Sequence, residues 1–266
     1  MEEKIRADQL LCKLNLAPSR ERAKSMILSG VVFIGNEKIE KPSQMLLQDA
    51  LPEIKGETLK YVSRGGLKLE KAVNEFKIEL RDKVSMDIGA STGGFTDCML
   101  QNGAKKVYAV DVGTNQLHEK LKVDSRVVNL EKTNARNITK EIVPEDVEFI
   151  SCDVSFISLK MILPVIYNIL AAEGEALCLI KPQFEAGKQN IGKNGVVKDK
   201  AVHREVVKGI YDFALSLNFK VLSLSYSPIK GPEGNIEYLI YLKKTESNIS
   251  GNVDIKKVVE SSHKEL

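Results

Sequence analysis

The sequence predicts a two-domain α/β protein with a mostly parallel sheet, and three observations predict it. The chain has 266 residues, 43% of them hydrophobic and 28% charged, close to an average globular composition. From residue 84 onward, buried-strand patterns alternate with helical patterns, which is typical of a parallel sheet covered by helices. The segment before about residue 45 indicates an accessory α+β module, because it is too short for a large core of its own.

The composition also narrows the class of protein. No apolar run approaches the ~18 residues that a membrane helix needs, and the N-terminus lacks the apolar stretch of a secretory signal. The four cysteines are scattered and there are three histidines, so neither a metal site nor a disulfide framework is expected. The net charge of +3 is too small to indicate nucleic-acid binding by itself. We expect a cytoplasmic protein with reduced thiols.

The N-terminal segment predicts two short helices and a β-hairpin. Apolar residues from Ile5 to Leu16 form one helical stripe. A second helix follows Ser19, a favourable N-cap, and ends at Ser29-Gly30. The hairpin is predicted as the strand Val31–Ile34, the turn Gly35-Asn36 and the return Lys38-Ile39. The apolar residues of the segment 44–60 show neither a helical nor a strand periodicity, so we predict a linker with a short strand.

The rest of the chain predicts the strand-and-helix alternation itself. A Gly65-Gly66 turn opens a helix that runs through Phe76. Strands are predicted at Val84–Ile88, Lys106–Val110, Val147–Ser151, Glu175–Ile180, Lys220–Ser227 and Glu237–Lys243. The first of these strands is followed by a glycine loop and a helix that ends at Leu100. Further helices are predicted at Met161–Ala171 and at Ala201–Leu217. The polar residues from Lys244 onward predict a mobile tail or a loosely docked helix.

Charged residues follow three of these strands. Ligands of open α/β sheets bind beyond the carboxyl ends of the strands, where Asp111, Asp153 and Lys181 fall. Glu237 is the first residue of the last predicted strand. If that strand is antiparallel to the others, Glu237 lies at the same edge of the sheet as the carboxyl ends of the parallel strands. A lysine that lines a cleft is partly desolvated, which favours its neutral form and makes Lys181 a candidate base. A purely structural network of ion pairs is the alternative interpretation of these charges.

A glycine-containing loop, Asp87–Asp97, follows the first strand of the alternation. Its spacing is neither Gly-x-Gly-x-x-Gly nor a P-loop, and Asp87 would repel a pyrophosphate. S-adenosylmethionine fits better because it carries an ammonium and a sulfonium, while Asp111 is placed for its ribose hydroxyls. A tight turn with a capping aspartate is the alternative. The residues predicted to bind S-adenosylmethionine are Asp87, Gly89, Ala90, Ser91, Thr92, Gly93, Gly94, Phe95, Asp111 and Val112.

Several long motifs together resemble the TlyA family, which joins an S4-type RNA-binding domain to a methyltransferase domain similar to FtsJ/RrmJ. The motifs are Asp87–Asp97, Val110–Gly113, Asp153–Leu159, Lys181–Lys188 and Gly231–Glu237, with an S4-like pattern from Arg6 to Asn36. The resemblance covers residues 4 to about 243. The sequence departs from it at Gly113–Gln116, where we expect an aromatic residue and a glycine after Gly113.

The resemblance implies a Rossmann-like S-adenosylmethionine-dependent methyltransferase domain with a small N-terminal α+β S4-like domain. The expected boundaries are 1–60 for the S4-like domain, 61–83 for a linker and first helix, 84–245 for the methyltransferase domain and 246–266 for a polar tail. The implied reaction is methyl transfer from S-adenosylmethionine to the ribose 2′-hydroxyl of cytidine in 16S or 23S ribosomal RNA, or both, without a metal. The implied partner is ribosomal RNA or a ribosomal subunit.

FtsJ-like enzymes carry a Lys-Asp-Lys-Glu tetrad, and the matching positions are Lys68, Asp153, Lys181 and Glu237. In the implied mechanism Lys181 is the base, Lys68 stabilises alkoxide charge, and the two carboxylates orient the lysines. The residues expected to contact RNA are Lys4, Arg6, Arg20, Lys41 and Arg64, with Arg22, Lys24 and the basic stretch 188–204 as weaker candidates.

Three other classes of function compete with this interpretation. Members of the family have been called hemolysins, but the sequence has no long apolar span or alternating barrel segments for membrane insertion. A non-catalytic RNA-binding protein is the second alternative, and the intact tetrad argues against it. A Rossmann oxidoreductase is disfavoured by the glycine spacing and by Asp87.

Overall fold

The structure is a computed structural model that describes residues 3–28, 30–55, 60–192, 194–247, 251 and 253–266. The chain divides into two compact units, residues 1–64 and 65–266. The first unit has its own apolar core, which includes Leu10, Leu11 and Ile27. The second unit has a larger core, which includes Met86, Ile150 and Ile240. Each unit therefore has the buried apolar residues from which a separate fold is built.

The first unit contains two helices and two small antiparallel sheets. Its elements are β1 (Lys4–Arg6), α1 (Ala7–Lys13), α2 (Arg20–Leu28), β2 (Val32–Ile34), β3 (Glu37–Lys38), β4 (Met45–Leu47) and β5 (Pro52–Ile54). β1 pairs with β4, and β2 lies between β3 and β5. The Ser19 hydroxyl accepts the N–H of Arg22 at 3.2 Å, so the predicted N-cap is confirmed. Gly30 has a left-handed φ of +76° just after α2, while Ser29 lies outside the described residues.

The second unit is built around a seven-stranded sheet. Its elements are α3 (Gly65–Phe76), β6 (Val84–Ile88), α4 (Gly94–Gln101), β7 (Lys106–Val110), α5 (Glu119–Lys122), β8 (Val127–Leu130), β9 (Val147–Cys152), α6 (Leu163–Ile169), β10 (Leu170–Ile180), α7 (Pro182–Glu185), α8 (Lys200–Ser216), β11 (Phe219–Tyr226), β12 (Tyr238–Lys244) and α9 (Ile255–Glu265). The strand order is β11-β12-β10-β9-β6-β7-β8.

The direction of the strands confirms the predicted mixed, mostly parallel sheet. All neighbouring pairs from β10 to β8 are parallel, whereas β12 is antiparallel to both β10 and β11. Because β12 is reversed, Glu237 at its start lies at the rim where the parallel strands end. The five residues of β6 are all buried, as expected for a central strand covered on both faces.

Several elements differ from the sequence prediction, among them the short elements β1, α5 and α7, which were not predicted. The segment 44–60, predicted as a linker with one short strand, contains both β4 and β5. The edge strand β8 was not predicted, because its four residues are too few for a strand pattern to stand out. The helix predicted at Met161–Ala171 is shorter: α6 ends at Ile169, and the chain enters β10 at Leu170.

The segment predicted as a polar tail or a loosely docked helix contains α9. This helix buries Val259 and Ser262, and the Tyr238 hydroxyl shares a hydrogen bond of 3.1 Å with the hydroxyl of Ser262. The helix packs through one narrow face and needs few apolar residues, so the polar sequence of this segment gives only a weak helical signal.

Candidate functional site

The four predicted tetrad residues converge at the carboxyl rim of the central sheet. Lys68 comes from α3, Asp153 follows β9, Lys181 follows β10 and Glu237 precedes β12. Lys68 Nζ lies 2.6 Å from Glu237 Oε2 and 3.4 Å from Asp153 Oδ2, while Lys181 Nζ lies 2.5 Å from Asp153 Oδ1. Asp153 therefore bridges the two lysines, and the charges alternate along one continuous chain of contacts.

Lys181 has a further partner that the sequence did not indicate. Its ammonium donates a hydrogen bond of 3.0 Å to the hydroxyl of Ser155, an exposed residue of the loop after β9. The amine is consequently fixed from two directions, by Asp153 and by Ser155. Only the three-dimensional fold brings Ser155 to Lys181, because the two residues lie on loops after different strands.

Burial and charge act in opposite directions on this cluster. Burial alone would lower the pKa of Lys68, but the carboxylates of Asp153 and Glu237 outweigh burial and leave that pKa raised. Burial alone would raise the pKa of Asp153, and the two neighbouring lysines instead leave it lowered. Lys68 and Asp153 are therefore both charged at neutral pH.

The loop between β6 and α4 passes close to the tetrad. Gly89 has a φ of +84°, and a Cβ atom there would lie 2.6 Å from the carbonyl oxygen of Asp153. Only glycine fits this position without a clash. The N–H groups of Gly89 and Ala90 both bond to the carbonyl of Val110, at 2.9 and 3.0 Å. These contacts place the predicted donor loop between the ends of β7 and β9.

Asp87, one of the residues predicted to bind the donor, is buried and forms hydrogen bonds within the protein. It is 1% exposed, and its carboxylate accepts hydrogen bonds from the N–H and hydroxyl of Thr96 at 2.9 and 2.7 Å and from the hydroxyl of Ser151 at 3.0 Å. Burial raises the pKa of Asp87 to about 6. The carboxylate therefore acts within the protein, where it ties the start of α4 to the sheet.

Asp111 lies at the end of β7, where the sequence places it. Its two carboxylate oxygens accept the N–H groups of Ser91 and Gly113, each at 2.7 Å. Each oxygen has a further lone pair that can accept another hydrogen bond. The neighbouring Val112 is 71% exposed and offers an apolar surface beside this carboxylate.

Glu131, which the sequence analysis missed, shapes the turn that departs from the family pattern. Its carboxylate accepts the N–H groups of Asn115, Gln116 and Leu117 at 2.8, 2.7 and 3.0 Å. These three bonds lower the pKa of Glu131. The turn is therefore held by a carboxylate from the end of β8, a strand that the sequence did not reveal.

Family models and known proteins match most of the chain. A model described as FtsJ-like methyltransferase matches residues 61–244, and a model described as S4 domain matches residues 5–50. The candidate rRNA methyltransferase YqxC of Bacillus subtilis is 46% identical over 99% of this chain and 96% of its own length. The 16S/23S rRNA (cytidine-2′-O)-methyltransferase TlyA of Mycobacterium tuberculosis is 38% identical over 91% of each chain.

The chain belongs to the TlyA family. A solved structure of a candidate hemolysin from Streptococcus thermophilus agrees with this assignment. It has a TM-score of 0.79 and 47% identity, and the match covers 100% of this chain and 98% of that one. The predicted fold class, an FtsJ-like methyltransferase domain joined to an S4 domain, is thereby confirmed.

The S4 unit of this TlyA-family chain gathers basic residues around a buried carboxylate. Asp8 accepts hydrogen bonds from Arg6 at 2.9 and 3.1 Å and from Arg20 at 3.1 Å. These guanidinium groups hold the pKa of Asp8 at about 2 despite its burial. Lys4 lies two residues before Arg6 on β1, so both side chains share one face of that strand. The N–H of Asp8 bonds to the carbonyl of Pro42, so the exposed Lys41 is one residue from a backbone contact with α1.

The other predicted RNA contacts lie elsewhere. Arg64 is exposed at the end of the first unit. The basic stretch 188–204 belongs to the second unit, where Asn235 holds it by accepting the N–H of Val197 at 3.2 Å and donating to the carbonyl of Gly195 at 3.0 Å. Lys193 lies outside the described residues.

None of the helices in the described part of the TlyA-family chain has the length and apolar character needed to cross a membrane. Within the same residues, no three His, Cys, Asp or Glu side chains are grouped as metal ligands.

Proposed function

We propose that this protein transfers a methyl group from S-adenosylmethionine to the ribose 2′-hydroxyl of cytidine in 16S or 23S ribosomal RNA, or in both. The observation that carries the proposal is the chain of ion pairs through Lys68, Asp153, Lys181 and Glu237 beside the glycine loop. The activity named for the relative TlyA supports this reaction, and the name of YqxC supports methyl transfer to rRNA. A ribosomal substrate places this reaction in the cytoplasm.

The residues at the ends of β6 and β7 fit an adenosine-containing donor. Gly89 lets the loop lie directly against the Asp153 backbone, where any side chain would clash, and the N-terminus of α4 follows this loop in the chain. Asp111 would accept the ribose hydroxyls and Val112 would contact the adenine. The loop from Gly89 to Phe95 would hold the amino-acid end of the donor. When bound, S-adenosylmethionine supplies an electrophilic methyl group on its sulfonium.

Lys181 is the base in this proposal. A ribose hydroxyl is a poor nucleophile and needs a proton acceptor within hydrogen-bond reach. The neutral amine is the form that accepts the proton, and RNA that covers the rim would exclude water from the reacting groups. The contact with Ser155 keeps the nitrogen directed to the rim.

Lys68 has a different role from Lys181. Because its two carboxylate partners raise its pKa, it stays cationic at neutral pH. A fixed cation beside the reacting oxygen stabilises the negative charge that develops as the hydroxyl loses its proton. Asp153 and Glu237 orient both lysines, and the alignment of hydroxyl and donor supplies a further part of the acceleration.

The basic cluster of the S4 unit would bind RNA phosphates. Arg6, Arg20, Lys4 and Lys41 provide the charges, and Asp8 fixes the two guanidinium groups in place. Phosphate contacts position a protein on RNA without reading its sequence. Arg64 and the basic stretch 188–204 would hold RNA near the tetrad.

The experiment is methyl transfer from labelled S-adenosylmethionine to purified small and large ribosomal subunits. We expect label on a cytidine ribose with the wild type, and a loss of at least about a hundredfold for Lys181→Ala, the lower end of the range for general-base catalysis. Lys83→Ala is the control, because Lys83 is also paired, with Glu175 at 3.0 Å, but lies at the opposite end of β6. Protein that binds the donor yet labels neither subunit would contradict a ribosomal substrate.

A further inference from the structure

Glu185 joins two loops of the candidate active site without touching the tetrad. It ends α7, four residues after Lys181, and its carboxylate reaches the far end of the loop that begins at Asp153. Glu185 Oε1 accepts the N–H of Leu159 at 2.6 Å, and Oε2 accepts the hydroxyl of Ser158 at 2.7 Å. Both oxygens of one carboxylate are thus committed to a segment 26 and 27 residues earlier in the chain.

The loop that Glu185 holds contains an unfavourable backbone conformation. Phe156 has a φ of +64°, which is uncommon for a bulky residue. Such a conformation persists only when contacts on either side hold it. At the rim end these contacts are the ion pair of Asp153 and the hydrogen bond of Ser155 with Lys181. At the other end they are the two hydrogen bonds with Glu185.

The surroundings of Glu185 show that it is not part of the central core. The residue is half-buried, and on its outer side it lines a cleft of about 170 Å³ together with Asn190 and Glu205. Burial raises the pKa of Glu185, although its bonds to Leu159 and Ser158 favour the ionised carboxylate. Its side chain can therefore be shortened without opening a cavity in the sheet core.

We propose that Glu185 is a positioning residue that holds the loop 153–159 in its observed conformation, so that Asp153 and Ser155 stay in contact with Lys181. This proposal rests on the proposed methyl transfer only for its kinetic consequence. The loss of both hydrogen bonds would let the loop relax from the Phe156 conformation. The contacts of Lys181 would then be formed for only part of the time. The donor loop at Gly89–Phe95 would keep its own contacts.

Two measurements on Glu185→Ala test the proposal. In hydrogen exchange, we expect the Leu159 N–H and the rest of the loop 153–159 to exchange about tenfold faster than in the wild type. In methyl transfer, we expect kcat to fall by about ten- to a hundredfold, since small misplacements of reacting groups have effects of this size. The KM for S-adenosylmethionine should stay within about twofold of the wild type, a split between kcat and KM that general misfolding would not produce.

Three further variants sharpen the test. Glu185→Gln keeps an oxygen for the Leu159 N–H and an amide for the Ser158 hydroxyl, so it should retain most of the loop protection and of kcat. Glu205→Ala removes an exposed carboxylate from the same cleft and should change neither quantity. Ser158→Ala should lower kcat less than Glu185→Ala, and the double variant should be no worse than Glu185→Ala alone.

The two arms of the experiment separate this inference from the proposed function. Unchanged exchange of the loop in Glu185→Ala, or an unchanged kcat, would overturn the inference. A donor affinity that falls in parallel with kcat would indicate general misfolding and would also overturn it. If the wild type transfers no methyl group to either subunit, the proposed function fails, while hydrogen exchange still decides whether Glu185 holds the loop.

Discussion

At the scale of single residues, the pair of Lys68 and Glu237 shows how the site combines stability with chemistry. The two side chains are 9% and 0% exposed and lie 2.6 Å apart. Removing one partner of such a pair leaves a buried charge uncompensated, which costs about 3–5 kcal/mol, whereas replacing both partners can be nearly neutral. Stability and catalysis should therefore respond differently to single and double substitutions at these positions.

We predict that Lys68→Met lowers the free energy of unfolding by about 3 kcal/mol and abolishes methyl transfer. The double variant Lys68→Met with Glu237→Gln should recover most of the stability, because no buried charge is left unpaired, but none of the activity. Urea denaturation and the subunit labelling assay measure the two quantities. Lys83→Met is the matched control, because its pair with Glu175 is more exposed and should contribute about 1 kcal/mol or less. Methyl transfer by Lys68→Met at the wild-type rate would contradict the role given to Lys68.

The same scale shows what could be predicted from the sequence about the site. The positions of Asp111, Asp153 and Lys181 follow from a general rule, because the carboxyl ends of parallel strands meet at one rim. Ser155 and Glu185 could not be found in this way. Their partners lie 26 or 27 residues away on another loop, and no local pattern encodes such a contact. Lys68 lies on α3 rather than at the end of a strand, so this rule does not apply to it.

At the scale of secondary-structure elements, the long strands of the large sheet were predictable and several short strands were not. β6 is buried throughout, so its position is clear from composition alone. β1, β4 and β5 have three residues each, too few for an alternating pattern to stand out. Their existence depends on pairing between distant segments, such as Ile5 of β1 with Leu46 of β4.

The turn between β6 and α4 gives a prediction that separates backbone strain from steric clash. Gly89 and Gly103 have nearly the same left-handed φ, +84° and +87°. A Cβ at Gly103 would meet its nearest neighbour, Arg81, at an ordinary 3.5 Å, whereas a Cβ at Gly89 would lie 2.6 Å from the Asp153 carbonyl oxygen. Both alanine variants carry the strain, about 1–2 kcal/mol, and only Gly89→Ala carries the clash.

We predict that Gly89→Ala weakens the binding of S-adenosylmethionine by more than about tenfold, equivalent to ~1.4 kcal/mol, because the donor loop and Asp153 must move apart. Gly103→Ala should lower the free energy of unfolding by about 1–2 kcal/mol and leave donor binding unchanged. Calorimetric titration of the donor and urea denaturation measure both effects. Equal donor affinity in the two variants would show that the close approach at Gly89 does not shape the donor site.

At the scale of the whole molecule, the chain consists of two units, each with its own apolar core. The proposed chemistry belongs to residues of the second unit, and much of the proposed RNA contact belongs to the first. The net charge of +3 is small, so attraction to RNA must come from local clusters rather than from the overall field. Binding of a subunit should consequently depend on a few lysines and arginines, with a matching dependence on salt.

We predict that the double variant Lys4→Gln with Lys41→Gln binds ribosomal subunits more weakly and with a shallower salt dependence. Each phosphate contact contributes about 0.7–0.9 to the slope of log K against log salt concentration, so the slope should fall by about 1.5. Both lysines are exposed, and donor binding should not change. Lys256→Gln with Lys257→Gln removes the same charge from exposed positions of α9 and should leave the slope as in the wild type. An equal fall in both double variants would assign the effect to net charge, and the proposed RNA surface of the S4 unit would then be wrong.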